Sequence, residues 1–204
     1  MGKLYTIKFL LITIFPAWII YRIINYIIIN KKKKFNWKNE ILINLFMLYI
    51  IFLIGITIFP IYISREIHPL SNLSIYERLN INLLPFSHYI NGDISKIGLF
   101  RNIFGNFVLL MPLIVFMYIY IKNMRSLKNC ALISFLISIL IEFTQCILNI
   151  MLLSEGLRTV NIDDIILNTL GGVIVFIILN IVERNSIIKI KFNNTKYQSK
   201  INSK

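Results

Sequence analysis

Five apolar runs, each long enough to cross a bilayer as a helix, dictate what this chain can fold into. They extend from Leu4 to Ile29, Ile41 to Ile63, Ile103 to Ile121, Cys130 to Met151 and Asp163 to Val182. About 20 apolar residues in a helix match the roughly 30 Å of hydrocarbon in a membrane. Inside that layer every backbone N–H and C=O must be satisfied within the chain, which forces such runs to be helical. The expected fold class is therefore an all-α membrane protein, a helical bundle of about five transmembrane helices. A soluble domain of 204 residues has no use for runs of this length, and a mean hydropathy of +0.72 agrees. The first run is preceded by Lys3 alone, lacks a small-residue cleavage site and is followed at once by Lys31 to Lys34, so it reads as a retained span rather than a signal peptide.

The net charge of +13 would point to nucleic acid in a soluble chain, but here the charges flank the apolar runs. A surplus of Lys and Arg marks loops kept on the cytoplasmic side, so topology accounts for them and no nucleic-acid partner is expected. Residues 31–40, 122–129 and 183–204 hold five, three and six basic residues, fourteen together, against seven on the other side. This places the N-terminus outside and the C-terminus in the cytoplasm. The expected organisation is two N-terminal helices joined by a Lys-rich cytoplasmic loop (1–63), an extracytoplasmic loop (64–102), a core of three helices (103–182) and a basic cytoplasmic tail (183–204) that meets anionic lipid. Arg22 lies near the cytoplasmic end of the first run, where it can snorkel. Cys130 and Cys146 fall in one helix, about 24 Å apart along its axis, too far to form a disulfide with each other.

Several polar residues interrupt the last three runs, and a bilayer makes such residues expensive. Asn102 and Asn106 lie four apart on one helical face, with Gly105 beside them allowing a close neighbour. Asn106 is either interhelical glue or part of a site. Glu142, Gln145 and Asn149 form a stripe on the fourth run. An acid at the centre of a membrane helix costs about 2.5–3.5 kcal/mol on insertion scales, so Glu142 must face a partner, a cavity or water. The fifth run opens with Asp163, expected as an N-cap, and with Asp164, which shares a face with Asn168 and Gly171. Arg158, just outside, stands where it can neutralise either aspartate or hold an anionic head group. Given the topology, Arg101, Asn102, Asn106, Glu142, Gln145, Arg158, Asp163, Asp164 and Asn168 gather at the extracytoplasmic ends of the last three spans. His88 is placed to join them from the loop, whose segment Ile81 to Ile90 suits the membrane interface. The sequence contains no zinc-ligand cluster, phosphate-binding glycine loop or internal repeat, so no metal or cofactor is expected.

Four segments in order carry a resemblance: Asn82-Leu-Leu-Pro-Phe86, Asn102-Ile-Phe-Gly-Asn-Phe-Val-Leu-Leu-Met-Pro112, Ser138-Ile-Leu-Ile-Glu-Phe-Thr-Gln145 and Arg158-Thr-Val-Asn-Ile-Asp-Asp-Ile-Ile-Leu-Asn-Thr-Leu-Gly-Gly172. Together they resemble the VanZ-like family, small bacterial membrane proteins whose founding member is associated with resistance to the glycopeptide antibiotic teicoplanin. The resemblance implies a multi-pass protein of the bacterial plasma membrane with a cell-envelope role. It marks Asn106, Glu142, Gln145, Arg158, Asp164 and Asn168 as the family's characteristic polar positions.

The leading expectation is a non-enzymatic protein with a polar pocket open to the outer leaflet. That pocket would bind a lipid-linked cell-wall precursor or the lipid tail of a lipoglycopeptide, with membrane lipids as its surroundings. The alternatives are a membrane-embedded enzyme acting on a lipid head group, with Glu142 and Asp164 as acid and base, and a lipid transporter or flippase. Against the enzyme, no activated Ser, Cys or His constellation is present. Against a monomeric transporter stands the absence of an internal repeat.

Overall fold

The computed structural model describes residues 3–28, 36–63, 68, 70–87 and 95–184. His88, Lys31 to Lys34 and the tail beyond Arg184 lie outside the described residues.

Helix α1 (Ile7–Ile28) is followed by α2 (Trp37–Thr57), a short α3 (Ile75–Leu79), α4 (Lys96–Leu109), α5 (Met111–Tyr120), a single 3-10 turn (Lys122–Met124), α6 (Leu127–Ile150) and α7 (Ile162–Arg184). Counting Lys96–Tyr120 as one span, five helical segments are long and apolar enough to cross a membrane. Each covers one of the five apolar runs. Differences fall at the ends, where capping decides. Asn36 accepts a hydrogen bond from the Asn39 N–H and starts α2 ahead of its apolar run. Ser95 does the same for the Gly98 N–H and starts α4 at Lys96, within the stretch expected to be loop. At the other end of α2 the chain leaves the helix at Thr57. Strand β2 (Ile61–Ile63) then pairs antiparallel with β1 (Lys3–Tyr5), tying the N-terminal end of α1 to the exit of α2.

The third span is broken at Leu110, between α4 and α5, because Pro112 cannot donate to the carbonyl of Val108 and its ring crowds that turn. A backbone carbonyl freed at membrane depth needs a donor. The carbonyl of Val108 finds one in the Leu110 N–H, and the Tyr49 hydroxyl on α2 donates to the neighbouring Leu109 O at 2.8 Å.

Helix α7 packs against α4, α5 and α6, while α1 packs on α2 at the periphery. Ile114, Tyr118, Met124, Cys130, Val175 and Phe176 form one buried cluster, and Leu53, Leu110 and Leu113 a second. Many of the other large apolar side chains on the spans are exposed, above all on α1 and α6, as expected of helices whose surroundings are lipid. Arg22 does more than snorkel: its guanidinium pairs with Glu40 across α1 and α2 (2.5 Å) and lies 5.7 Å from the centre of the Trp18 ring. At the same end of the bundle Arg125 pairs with Glu183 (2.9 Å), and the Tyr118 hydroxyl donates to the same carboxylate.

Two glycines set how closely α7 can approach its neighbours. A Cβ on Gly171 would run into the carbonyl oxygen of Phe107 on α4, and one on Gly172 into Ser134 Oγ on α6. Gly105 has no atom within 4 Å of such a Cβ. Gly171→Ala should therefore destabilise the detergent-solubilised protein by about 1–3 kcal/mol, the usual cost of overpacking, read as a lower thermal midpoint. Gly105→Ala should hold or slightly raise the midpoint, because Ala is the better helix former. Equal midpoints for the two variants would refute the close seat of α7 on α4.

Candidate functional site

Small and polar residues recur every fourth position along α6, at Cys130, Ser134, Ser138 and Glu142, and all four are buried against the bundle. This spacing aligns them on one face. Opposite them on α7 run Asp164, Asn168 and the Gly171–Gly172 pair. The small residues let the two backbones come close, so short polar side chains can bridge the seam. Asn168 Nδ2 donates to Ser138 Oγ at 2.8 Å, and Ser138 Oγ donates to Asp164 O at 3.4 Å. From the other side, Asn106 on α4 donates to Asp164 Oδ1 at 2.6 Å. Three helices thus meet at Asp164 through Asn106 and Ser138.

One turn further along α6, Glu142 is 4% exposed and accepts the backbone N–H of Asn161 at 2.8 Å. Asn161 ends a two-residue strand, β4 (Val160–Asn161), that pairs in parallel with β3 (Ile81–Asn82). Its side chain accepts from the Asp163 N–H (3.1 Å) and from Asn82 Nδ2 (3.4 Å). Asn161, not Asp163, therefore serves the entrance of α7, which corrects the expected N-cap. Asp163 sits inside the first turn and is fully buried, because its carboxylate is needed elsewhere: Oδ1 accepts the Phe86 N–H at 2.9 Å. That bond, with the Asn82 side chain accepting from Leu84 N–H and Ser87 Oγ, fixes Asn82 to Ser87 over the end of α7.

Arg158 does not neutralise an aspartate. Its guanidinium donates to Thr57 O and, at 2.5 Å, to Phe59 O, where α2 ends and its last carbonyls need donors. A cation also suits the negative end of the helix dipole. Burial pushes the Arg158 pKa down, yet an intrinsic value so high keeps the group charged. Gln145 joins it, donating to the same Thr57 carbonyl at 2.8 Å. Asn149 then clamps the backbone of Arg158: its Nδ2 donates to Arg158 O (2.7 Å) while its Oδ1 accepts Arg158 N–H (3.1 Å) and Ser154 Oγ (3.1 Å). Ser154 O accepts in turn from His68 Nε2 at 3.2 Å.

Of the expected site residues, the structure brings Asn106, Asp164 and Asn168 into one hydrogen-bonded chain. Glu142 stands beside it, and Gln145 and Arg158 lie on the exit of α2. Arg101 is exposed and makes no hydrogen bond or ion pair among the described residues. Asn82, Ser138 and Asn161 belong to the cluster beyond the residues expected there, whereas Asp163, part of the expected polar set, joins it by accepting the Phe86 N–H. Asn82, Ser138, Asn161 and Asp163 all stand inside the four ordered sequence segments, and Asn149 lies on the Glu142–Gln145 stripe, so the signal was present.

Glu142, Asp163 and Asp164 make no ion pair among the described residues, in contrast to the acids at the opposite end of the bundle. Among the described residues Asp163 Oδ2 and Asn168 Oδ1 are buried acceptors without a partner. The cluster therefore has acceptor capacity to spare and offers it to a proton, a water or a donor-rich ligand. Among the described residues no group of three or more His, Cys, Asp or Glu side chains is arranged to hold a metal.

The family model described as VanZ/LLP1 matches residues 46–183, more than half of the chain and all of the elements just described from the middle of α2 onward. No curated protein and no solved structure gives a significant match.

Replacing Asn149 by Leu keeps the side-chain bulk and removes three buried hydrogen bonds. Asn149→Leu should destabilise the protein by about 1–3 kcal/mol and open the 152–161 connection to trypsin at Arg158. A variant as resistant to trypsin as wild type would mean that the clamp does not hold this connection.

Proposed function

Because the chain belongs to the VanZ/LLP1 family, we propose that this multi-pass membrane protein acts in the bacterial cell envelope and lowers the action of teicoplanin-type glycopeptides. It does so by binding an amphiphile at the cluster around Glu142 and Asp164. The observation that carries this reading is the set of buried and half-buried carboxyl groups at one end of the bundle, hydrogen-bonded to Asn106 and to the Asn161 backbone but, among the described residues, matched by no cation.

The basic-residue count supports an orientation with that end extracytoplasmic: Lys38, Lys122, Arg125, Lys128 and Arg184 all belong to the opposite end, beside the charge-paired acids. The cluster then faces the outer leaflet, where both a lipid-linked cell-wall precursor and a lipoglycopeptide insert. An excess of acceptors favours a head group that brings hydrogen-bond donors or positive charge, since a bare phosphate would add negative charge to an acidic site. Binding here is a matter of positioning and sequestration and needs no chemical step.

The test is glycopeptide susceptibility, teicoplanin beside vancomycin, in a sensitive bacterium expressing wild type, Glu142→Gln or Asp164→Asn at equal membrane levels. Wild type should raise the inhibitory concentration of teicoplanin, and both variants should lose most of that gain. Protection that survives both isosteric changes would exclude the carboxyl cluster, and no protection from wild type would end the resistance reading.

A further inference from the structure

Past β3 the chain turns tightly from Asn82 to Ser87 over the end of α7, and from Leu84 onward every backbone N–H of this turn is answered by the protein itself. Leu84 N–H donates to Asn82 Oδ1 (3.3 Å), Pro85 has no N–H, Phe86 N–H donates to Asp163 Oδ1 (2.9 Å) and Ser87 N–H to Leu84 O (3.3 Å). An exposed turn in water has no need of such provision, because water supplies the missing partners. A turn in hydrocarbon does, since nothing around it can bond.

The side chains fit the same surroundings. Leu83 and Leu84 are 70% and 71% exposed, and no charged residue occurs from Asn80 to Ser87. Phe86 is held at φ 60°, in the left-handed region that a bulky L residue rarely enters. Such strain persists only where the surroundings impose it, and the buried Asp163 carboxylate does so by holding the Phe86 N–H. The result is a pinned turn with both leucines left outside the fold.

The neighbouring helix indicates how far lipid reaches. Ile97, Phe100 and Phe104 follow at three- and four-residue intervals on α4 and are all exposed, an apolar stripe on one face. Ile97 stands about 13 Å along the axis beyond Asn106, which meets Asp164. The stripe therefore continues outward past the contact between α4 and the first turn of α7, where Asn82 to Ser87 is seated. A protein partner would recognise such a turn through free backbone groups or charge, and the tip offers neither; acyl chains require neither.

We propose that Asn82–Ser87 is a membrane-inserted turn: Leu83 and Leu84 enter the hydrocarbon of the leaflet at the end of the bundle that carries Glu142 and Asp164, and the Asn82 and Asp163 side chains permit this by sealing the backbone. Because the turn is seated on Asp163, the acyl chains around it border the carboxyl cluster, whether or not that cluster binds a drug or precursor.

The experiment reconstitutes the full chain in vesicles of phosphatidylglycerol and phosphatidylethanolamine with a nitroxide on Leu84→Cys, in a Cys146→Ser background where the remaining Cys130 is buried. Collision with oxygen, which concentrates in hydrocarbon, is compared with collision with a water-soluble nickel chelate present on both sides. The oxygen-to-nickel ratio at Leu84 should match that at Phe104→Cys and exceed severalfold that at Glu155→Cys, an exposed position in the 152–161 connection. Asn82→Ala, which removes the acceptor of the Leu84 N–H, should lower the ratio at Leu84 toward the Glu155 value and leave that at Phe104 unchanged. If the Phe104 ratio shifts as well, Asn82→Gln, which keeps the polarity but moves the amide out of register, takes its place. A Leu84 ratio equal to that of Glu155 would put the turn in water and overturn the proposal. Low collision with both reagents would show the leucine covered by protein, a second copy if the labels also broaden one another, and would overturn it too, as would a Leu84 ratio indifferent to the Asn82 change.

Discussion

The close seat of α7 on α4 and α6 is the contact on which the rest of the molecule depends. Helices in lipid gain no hydrophobic energy from meeting one another, so packing and hydrogen bonds must hold them together. Gly171 against Phe107 O and Gly172 against Ser134 permit that approach. Only at such a separation do side chains as short as Asn106, Ser138 and Asn168 reach across the seam to bond. A larger residue at either glycine would separate the backbones and leave these polar groups desolvated without partners, which costs more than the bonds themselves contribute. The small residues and the polar residues are therefore one device. The first set brings the helices together, and the second specifies their register.

At the acid-bearing end, irregular chain is folded down onto the helices and held through its backbone. Asn82 to Ser87 is fixed by Asp163, and the 152–161 connection by Glu142 and Asn149, with Arg158 reaching back to the exit of α2. Irregular backbone near membrane depth is tolerated only where its polar groups find protein partners. Here the buried carboxyl groups supply those partners, accepting the N–H groups of Phe86 and Asn161. Each acid thus spends one oxygen on architecture, and Asp163 Oδ2 remains buried with nothing to accept.

The sequence made the spans readable because partition into lipid depends on composition over about 20 consecutive residues, a local property. It also made the polar set readable, since any Asn, Glu or Asp inside an apolar run stands out by cost alone. What it did not reveal was the choice of partner. By position Arg158 suits an aspartate or an anionic head group, yet its guanidinium bonds carbonyls about 100 residues away in the chain, at the exit of α2. Asp163 looked like an N-cap by position; Asn161 holds that role because the β3–β4 pairing draws Phe86 onto the aspartate. Pro112 signals a break in the third span, but the donation of the Tyr49 hydroxyl to Leu109 O beside that break appears only when α2 is in place.

The two ends of the bundle treat acids differently, and the difference bears on what each end can do. Glu40 and Glu183 are each met by an arginine, so their desolvation is offset by attraction as well as by hydrogen bonds. Among the described residues Glu142, Asp163 and Asp164 are offset by hydrogen bonds without an ion pair, and the half-buried Arg158 donates to carbonyls at the exit of α2 instead. An end that needed only mechanical stability would gain from an arginine placed as at the other end. Without one, the carboxyls keep acceptor capacity that the hydrogen bonds around them leave unused, as Asp163 Oδ2 shows among the described residues.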